Sequence, residues 1–323
     1  LKIANLKIML NFLYCFDSNY IKQACTSIYS VLNNSKTKIN FSIIYKHGDK
    51  LDFIPEKILA HENLNTLNIY EFEKKLSFPN LSDVHVSEAT YYRLFINEYI
   101  DNTIETLIYV DSDIICINPF EDVLNEELNK LVESKNTIAA KTEFEVNNKE
   151  GLERFGIKDK NYFNAGVLLI DYQKWLKEKV GKKLIKNLSL NKDELKYWDQ
   201  DLLNIYFEGN FQELNNHLNF KVYLSENNFK YTFNKKEEES ILLHYSGKFK
   251  PWSLKGALNG NSKFYHSYYK KLYEDDYHIY NARRLNTFKD LMKNLLNLKI
   301  FAAKKSFTLF KYTFLSLRRK KRS

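Results

Sequence analysis

Residues 107–117 read LIYVDSDIICI, an apolar run interrupted by two aspartates one residue apart. The segment TLIYV at 106–110 has the length and composition of a strand buried on both faces. Positions i and i+2 of extended backbone point the same way, so we expect the carboxylates of Asp111 and Asp113 to leave the strand on one side. They repel each other unless a cation lies between them, and a hard divalent ion that also binds phosphate is the simplest solution. The alternative is an acidic loop that caps the following turn, because this pattern alone is common.

Outward from this segment, apolar runs alternate with amphipathic stretches. We predict further strands at residues 8–16, 39–45, 66–72, 137–141, 164–170 and 240–245. We predict helices after residues 20, 55, 87, 119 and 171 and near residue 199. Strands that alternate with helices favour an α/β fold with a mostly parallel central sheet covered on both faces. Since no repeat or linker interrupts residues 1–284, we expect them to form one domain.

The composition excludes several classes of protein. The chain has 323 residues, of which 44% are hydrophobic and 15% aromatic, enough for a large core. No two of its nine glycines stand one residue apart, and it contains neither a dinucleotide-binding G-x-G-x-x-G fingerprint nor a P-loop. A bound phosphate must therefore contact side chains or a metal. Cys15, Cys25 and Cys116 form no C-x-x-C pair, which fits a reducing compartment.

The net charge of +9 is concentrated near the carboxyl terminus. Residues 289–323 hold 11 Lys or Arg and one acid, whereas the first 288 residues hold 38 basic and 39 acidic residues. Apolar residues recur at helical spacing between 288 and 317, so we predict a basic amphipathic tail over 285–323 that attaches to an anionic membrane surface. The alternative is a helix packed on the body with a solvated end. We expect no nucleic-acid partner, because no basic stripe crosses the fold.

Three further polar clusters accompany the aspartates, and we place all four at carboxyl ends of strands, where open α/β sheets bind ligands. In HYSGKFKPW (244–252), His244 is a candidate metal ligand, Gly247 permits close backbone approach and Lys250 can reach a phosphate. Asp199-Gln200-Asp201 opens a helix, where one acid is commonly an N-cap but the set can also bind sugar hydroxyls. The small residues of Asn164-Ala165-Gly166 leave room for a ligand, or serve tight strand packing.

Two other positions carry open interpretations. Asp17 and Asn19 end the first predicted strand, where they can bind a nucleobase edge or cap the next helix. Arg93 lies on the apolar face of a predicted helix and needs an anionic partner there. Arg93 either forms an ordinary ion pair or holds the Asp111/Asp113 site and the sugar.

Six stretches occur in order over about residues 10–255: FLYCFDSNY, ATYYRLFINEYI, LIYVDSDIICI, YFNAGVLLIDYQKW, WDQDLLN and HYSGKFKPW. Together they resemble the family 8 retaining glycosyltransferases, which include glycogenin and bacterial lipopolysaccharide or lipooligosaccharide α-galactosyl- and α-glucosyltransferases. The resemblance implies a GT-A nucleotide-diphospho-sugar transferase fold, a UDP-sugar donor, and manganese or alternatively magnesium as the cofactor. The two aspartates are then the family's DxD motif.

The same resemblance assigns roles to individual residues. It makes Asp111, Asp113 and His244 the metal ligands, and Gln200 and Asp199 the catalytic pair beside the sugar. Glu143 stands on the acceptor side, where some relatives carry Asp. The donor-binding set comprises Asp17, Asn19, Tyr20, His85, Arg93, Asp111, Asn164, Ala165, Gly166, Asp199, Gln200, Gly247 and Lys250.

We therefore expect a hexosyltransferase that moves glucose or galactose from UDP to a glycan or lipid-linked oligosaccharide, such as lipopolysaccharide core, with an α-linkage. The family's bacterial members often attach by a basic tail, which implies the cytoplasmic face of the inner membrane. Retention can use a covalent nucleophile or same-face attack, and the neutral amide of Gln200 favours the latter. Two alternatives are a catalytically silent membrane- or RNA-associated binding protein and a sugar nucleotidyltransferase. The second class normally begins with a glycine-rich basic loop, where this chain has residues 17–20, DSNY.

Overall fold

The structure is a computed structural model that describes residues 9–46, 53–74, 87–156, 161–190, 195–224, 233–280, 284–303 and 305–318. The strands in this part of the chain are β1 (Asn11–Asp17), β2 (Ile39–Lys46), β3 (Leu64–Glu71), β4 (Thr106–Val110), β5 (Ile114–Cys116), β6 (Ile138–Thr142), β7 (Phe163–Asp171), β8 (Gln212–Glu213), β9 (Phe220–Lys221) and β10 (Leu242–His244). A central sheet has the order β3-β2-β1-β4-β7-β6-β8, and a small second sheet has the order β5-β10-β9.

The central sheet is mostly parallel, as predicted. β1 pairs in parallel with β2 and β4, β2 with β3, and β6 with β8. β7 pairs antiparallel with both β4 and β6 and so runs against the other described strands of this sheet. The prediction that Asn164-Ala165-Gly166 lies at a carboxyl end is therefore wrong. These residues begin β7, and the reversal of that strand brings its amino end to the edge where the parallel strands end.

The predicted strand at 240–245 belongs to the second sheet. β10 pairs antiparallel with β5 and parallel with β9. In this ladder His244 lies opposite Ile114, and Leu242 lies opposite Cys116. The residue opposite His244 is thus the immediate neighbour of Asp113, which explains how a histidine distant in sequence reaches the aspartates.

Helices connect the strands. They are α1 (Ile21–Asn34), α2 (Glu56–Leu59), α3 (Ile96–Tyr99), α4 (Glu121–Glu133), α5 (Glu145–Phe155), α6 (Tyr172–Lys177), α7 (Val180–Leu190), α8 (Trp198–Phe207), α9 (Lys235–Glu238), α10 (Leu254–Ala257), α11 (Lys263–Tyr273), α12 (Arg284–Leu296) and α13 (Ser306–Arg318), with 3₁₀ helices at Glu88–Phe95, Gly260–Ser262 and Lys299–Ala302. The helix predicted after Ser87 is thus a 3₁₀ helix followed by α3, and the Ser87 hydroxyl accepts a hydrogen bond from the Ala89 N–H.

Alternate residues of β1 pack into two cores on opposite faces of the sheet. Phe12, Tyr14 and Phe16 pack with α1, α2 and α4, whereas Leu13 and Cys15 pack with the Glu88–Phe95 helix, α7 and α8. This period of two is the expected consequence of extended backbone buried on both sides. The predicted helical cover on both faces is confirmed, and all three cysteines are buried and free.

The carboxyl-terminal helices α12 and α13 fold back onto the body. Leu291, Ile300 and Leu309 are buried in a small core with Leu254 and Leu258 at α10. Other large apolar side chains of this segment are exposed, among them Leu285, Phe288, Leu296, Leu298, Phe301 and Phe307. None of the described helices combines the length and apolar character needed to cross a bilayer. The basic residues at 319–322, which belong to the predicted tail, lie outside the described residues.

Candidate active site and metal centre

A cavity of about 640 Å³ opens at the edge where the parallel strands end. Its walls come from the ends of β1 and β4, the start of β7, the start of α8 and the loop after β10. The predicted site residues that line it are Tyr20, Arg93, Asp111, Asp113, Glu143, Asn164, Ala165, Gly166, Asp199, Gln200, His244, Gly247 and Lys250. These residues come from seven separate segments of the chain, which include the Glu88–Phe95 helix and the residue that follows β6 in addition to the elements named above.

Asp17 and Asn19 lie beside the cavity rather than in its wall. The Asp17 carboxylate accepts a hydrogen bond from the Asn19 backbone N–H at 2.8 Å, as in a capped turn. The Asn19 side chain accepts one from the Tyr280 hydroxyl at 3.2 Å. Their predicted contact with uracil stays a prediction, and His85 lies outside the described residues.

Asp111, Asp113 and His244 converge on one point of this cavity. One ligand atom from each lies within 4.8 Å of the others, and Asp113 Oδ1 is 3.4 Å from His244 Nε2. Asp113 Oδ1 is buried and receives no hydrogen bond from the described residues, while Oδ2 accepts a bond from Lys250 Nζ at 2.7 Å. A buried carboxylate oxygen without a donor is costly unless a cation meets it. Two carboxylates and one imidazole form a donor set that fits a divalent metal ion.

A chain of amides sets the protonation of the His244 ring. The Gly166 N–H can only donate, so the Asn164 side-chain atom 3.0 Å away is the carbonyl oxygen. That oxygen also accepts from Asn219 Nδ2 at 3.0 Å, which leaves Asn219 Oδ1 facing His244 Nδ1 at 2.9 Å. His244 therefore carries its proton on Nδ1 and presents the Nε2 lone pair towards Asp113. Asn219 was missed by the sequence analysis, since no local motif marks it.

The ionisation of these groups suits cation binding. Burial lowers the pKa of His244 to about 4, so the imidazole is neutral at pH 7 and can act as a ligand. Burial raises the pKa of Asp111 to about 7, against the opposing charge of Arg93 and reinforced by Asp113. Burial acts in the same direction on Asp113, but the Lys250 ammonium and His244 outweigh it and hold the pKa of Asp113 below its usual value.

Gly166 is required by the close approach of the histidine. A Cβ at this position would lie 2.4 Å from His244 Cε1, well inside contact distance. Gly247 has a different requirement, because its φ of +83° is unfavourable for residues with a side chain. The two glycines thus serve the site through packing at one position and backbone conformation at the other.

Arg93 connects the metal centre to the start of α8. Its guanidinium is buried, forms an ion pair with Asp199 through Nε and Oδ2 at 2.5 Å, and lies 3.6 Å from Asp111 Oδ1. It also covers the Tyr109 ring with 3.9 Å between Cζ and the ring centroid, and donates to the Ala165 carbonyl. Arg93 is therefore ion-paired, and the pair lies at the candidate site. Its contact with a sugar stays a prediction.

Gln200 and Asp201 face different surroundings. Gln200 Oε1 accepts hydrogen bonds from Ala165 N at 3.0 Å and Asn164 Nδ2 at 3.2 Å, which holds its side chain against the start of β7. Asp201 is fully buried behind it, paired through two 2.9 Å contacts with Arg154, and bonded to the Tyr162 hydroxyl. Asp201 is therefore not among the cavity-lining groups. It anchors α8, whereas Asp199 and Gln200 line the cavity.

The α/β fold that carries this cavity is the GT-A glycosyltransferase fold. The family model described as "Glycosyl transferase family 8" matches residues 11–256, and the chain belongs to that family. The galactosyltransferase LgtC, solved with donor and acceptor sugar analogues, superposes with a TM-score of 0.68 at 22% identity, covering 81% of this chain and 96% of LgtC.

Bacterial enzymes are similar to this chain along most of its length. The lipopolysaccharide 1,2-glucosyltransferase of Escherichia coli K12 is 29% identical over 89% of this chain and 85% of its own length. The lipopolysaccharide 1,3-galactosyltransferase of Salmonella typhimurium LT2 is 28% identical over 76% of this chain and 74% of its own length. These two relatives are named for transfer of different hexoses.

Proposed function

We propose that this protein is a retaining, metal-dependent hexosyltransferase that moves glucose or galactose from a UDP-sugar to a glycan acceptor and forms an α-linkage. One observation carries the proposal: Asp111, Asp113 and His244 bring ligand atoms within 4.8 Å of one another, in a cavity also lined by Lys250, Asp199 and Gln200. That set supplies what departure of a nucleoside diphosphate requires, namely neutralisation of a developing negative charge and polar groups around the sugar.

Different side chains of the cavity act on the diphosphate and on the sugar. The two aspartates and His244 would hold manganese or magnesium, which would supply positive charge to stabilise the diphosphate leaving group. Lys250, which donates a hydrogen bond to Asp113, would bind a phosphate oxygen and add a second positive charge. At the sugar, Asp199 is held by Arg93 and stabilises positive charge that develops at C1.

Same-face attack is the retention mechanism that this arrangement favours. The Gln200 amide is neutral and a poor nucleophile, and its oxygen is already bonded to Ala165 N and Asn164. Asp201 carries the neighbouring carboxylate, but five hydrogen bonds from Arg154, Tyr162, Lys196 and Tyr197 occupy it. The acceptor hydroxyl is then the nucleophile, and the leaving phosphate takes its proton.

The acceptor and the location follow from the relatives and the tail. Relatives named as lipopolysaccharide glucosyl- and galactosyltransferases support a lipopolysaccharide or lipooligosaccharide core as acceptor, reached from the cytoplasmic face of the inner membrane. Exposed Phe288, Phe301 and Phe307 beside basic residues support attachment of α12–α13 to anionic lipid. The protein is then peripheral to the membrane, with its cavity facing the glycan.

The test is release of UDP from UDP-glucose and UDP-galactose, with and without manganese, by wild-type protein and by Asp113→Asn. We expect manganese-dependent release that falls at least about a hundredfold in the variant, because one ligand charge is lost. Asn33→Ala, an exposed amide on α1, is the matched control and retains wild-type release.

Three results would contradict the proposal. UDP release that is indifferent to manganese removes the metal assignment. Binding of UDP-sugar without release, in the presence of acceptor, supports the catalytically silent binding protein instead. Formation of a sugar nucleotide from UTP and a sugar phosphate would identify a nucleotidyltransferase.

A further inference from the structure

Two aromatic side chains lie exposed at the rim of the active-site cavity, and the chemistry proposed above uses neither. Phe144 precedes α5 and is 53% exposed, and Tyr223 follows β9 and is 45% exposed. Their ring centroids are 5.8 Å apart, with the ring planes inclined at 40°. Tyr223 lines the cavity together with Glu143, so the two rings form an apolar surface that continues into it.

Buried charges hold this aromatic pair in position. Lys221 and Glu143 are both buried and form an ion pair at 2.5 Å. Lys221 Nζ also lies 4.7 Å from the centroid of the Phe144 ring. Glu143 Oε1 in turn accepts a hydrogen bond from Asn164 Nδ2 at 2.7 Å. The rings are thus tied through Glu143 to the side of the cavity where Asn164 and Gln200 lie.

We propose that Phe144 and Tyr223 form an acceptor subsite that stacks against one face of a sugar ring, an inference that rests on the proposed function. The C–H groups on a face of a hexose ring form an apolar patch, which packs against an aromatic ring while the hydroxyls at its edge bond to polar groups. Burial raises the pKa of Tyr223 to about 12, so its hydroxyl is protonated at neutral pH and can donate a bond to the same ligand.

The position of the pair assigns it to the acceptor rather than to the nucleotide. Phe144 lies just after β6, which β4 and β7 separate from β1 and from the predicted nucleobase contacts Asp17 and Asn19. Tyr223 lies against Gly247, beside the loop predicted to contact the diphosphate. The pair is therefore beyond the diphosphate on the side away from the predicted base contacts, where the acceptor must approach. An exposed aromatic pair next to a polar cavity is the surface expected for a ligand with both apolar faces and hydroxyl groups.

The test compares steady-state kinetics of wild type, Phe144→Leu and Tyr223→Leu, with UDP-glucose or UDP-galactose and manganese. The acceptor probes are deacylated lipopolysaccharide core oligosaccharide, maltose and lactose. Leucine keeps apolar character but removes the flat ring, so we expect the acceptor KM to rise roughly tenfold while the donor KM changes less than twofold. Phe144→Tyr keeps the ring and restores the wild-type acceptor KM.

Leu59→Ala is the control, because Leu59 lies on α2 and is 49% exposed, close to the exposure of Phe144. It retains the wild-type acceptor KM. An unchanged acceptor KM in both leucine variants overturns the subsite, as do equal increases in donor and acceptor KM or a failure of every saccharide probe to accelerate UDP release. Failure of the proposed function is distinguishable, since wild-type protein would then release no UDP from either donor.

Discussion

At the scale of single residues, the geometry of the candidate metal centre depends on side chains other than its three proposed ligands. Asn219 is buried and bonds to both His244 and Asn164, and Gly166 supplies the N–H that orients the whole chain of amides. Hydrogen bonds of this kind commonly fix the ring orientation and tautomer of a metal-binding histidine. A sequence motif that identifies only Asp111, Asp113 and His244 therefore omits Asn219, Asn164 and Gly166, which orient the His244 ring.

Replacement of Asn219 by Ala is expected to weaken manganese binding about 10- to 100-fold, because the Nδ1 proton of His244 loses its acceptor. Free manganese measured by electron paramagnetic resonance gives the affinity without reference to activity. A thermal unfolding curve for each protein establishes that the variant is folded. Asn33→Ala is the control, and a manganese affinity in Asn219→Ala equal to that of the control would show that Asn219 does not orient the ligand.

At the scale of secondary-structure elements, β7, α5 and α8 meet at one buried carboxylate. Asp201 accepts hydrogen bonds from Arg154 on α5, from Tyr162 just before β7, and from the backbone N–H groups of Lys196 and Tyr197 just before α8. These bonds fix the start of α8, where Asp199 and Gln200 face the cavity. The sequence suggests Asp201 as part of a sugar-binding set. In the structure Asp201 instead positions Asp199 and Gln200, which line the cavity.

Removal of the Arg154 side chain is expected to lower the free energy of unfolding by about 3 kcal/mol, because it leaves the Asp201 carboxylate buried and without its counter-charge. Urea unfolding of Arg154→Ala and wild type measures the difference. Lys149→Ala is matched to it, since Lys149 lies on the same helix in an exposed ion pair with Glu153 at 3.8 Å. We expect no measurable change there, so equal destabilisation in both variants would argue against the network.

At the scale of the whole molecule, the carboxyl-terminal segment has two faces. Leu291, Ile300 and Leu309 complete a small core against α10, whereas Phe288 and Phe307 point outward, Phe307 with 83% exposure. The segment therefore packs on the body, which was the alternative to membrane attachment. It also exposes the apolar surface that the predicted membrane attachment requires. Its deletion would disturb the core as well as the surface, so point variants separate the two roles.

The double variant Phe288→Ser, Phe307→Ser is expected to bind vesicles of phosphatidylglycerol and phosphatidylcholine at least tenfold more weakly, because two large apolar side chains no longer enter the interface. Co-sedimentation with the vesicles measures the partition. Leu59→Ser, Val132→Ser is the control pair, since both residues are about half exposed and lie on other helices. Equal partition of the two double variants would refute attachment through this face.

The sequence by itself determined the order and type of most elements and much of the candidate site. Continuous apolar runs mark strands buried on both faces, and the Asp111/Asp113 pair and His244 are visible as polar residues at the ends of such runs. The strands and the polar residues at their ends can be predicted from short segments, because the pattern of apolar residues within one segment shows which side chains can be buried. The six ordered stretches added the family, which the match over residues 11–256 bears out.

The tertiary structure alone decided the direction of β7, the separate sheet of β10, the burial of Asp201 and the place of Asn219. Strand direction and sheet membership depend on pairing between segments far apart in the chain, which no local period encodes. Asn219 gains its role only because folding places it between His244 and Asn164. A single Asn in the sequence forms no motif that could identify its role. In the folded protein its amide has one orientation, because every donor in a buried chain of hydrogen bonds must meet an acceptor.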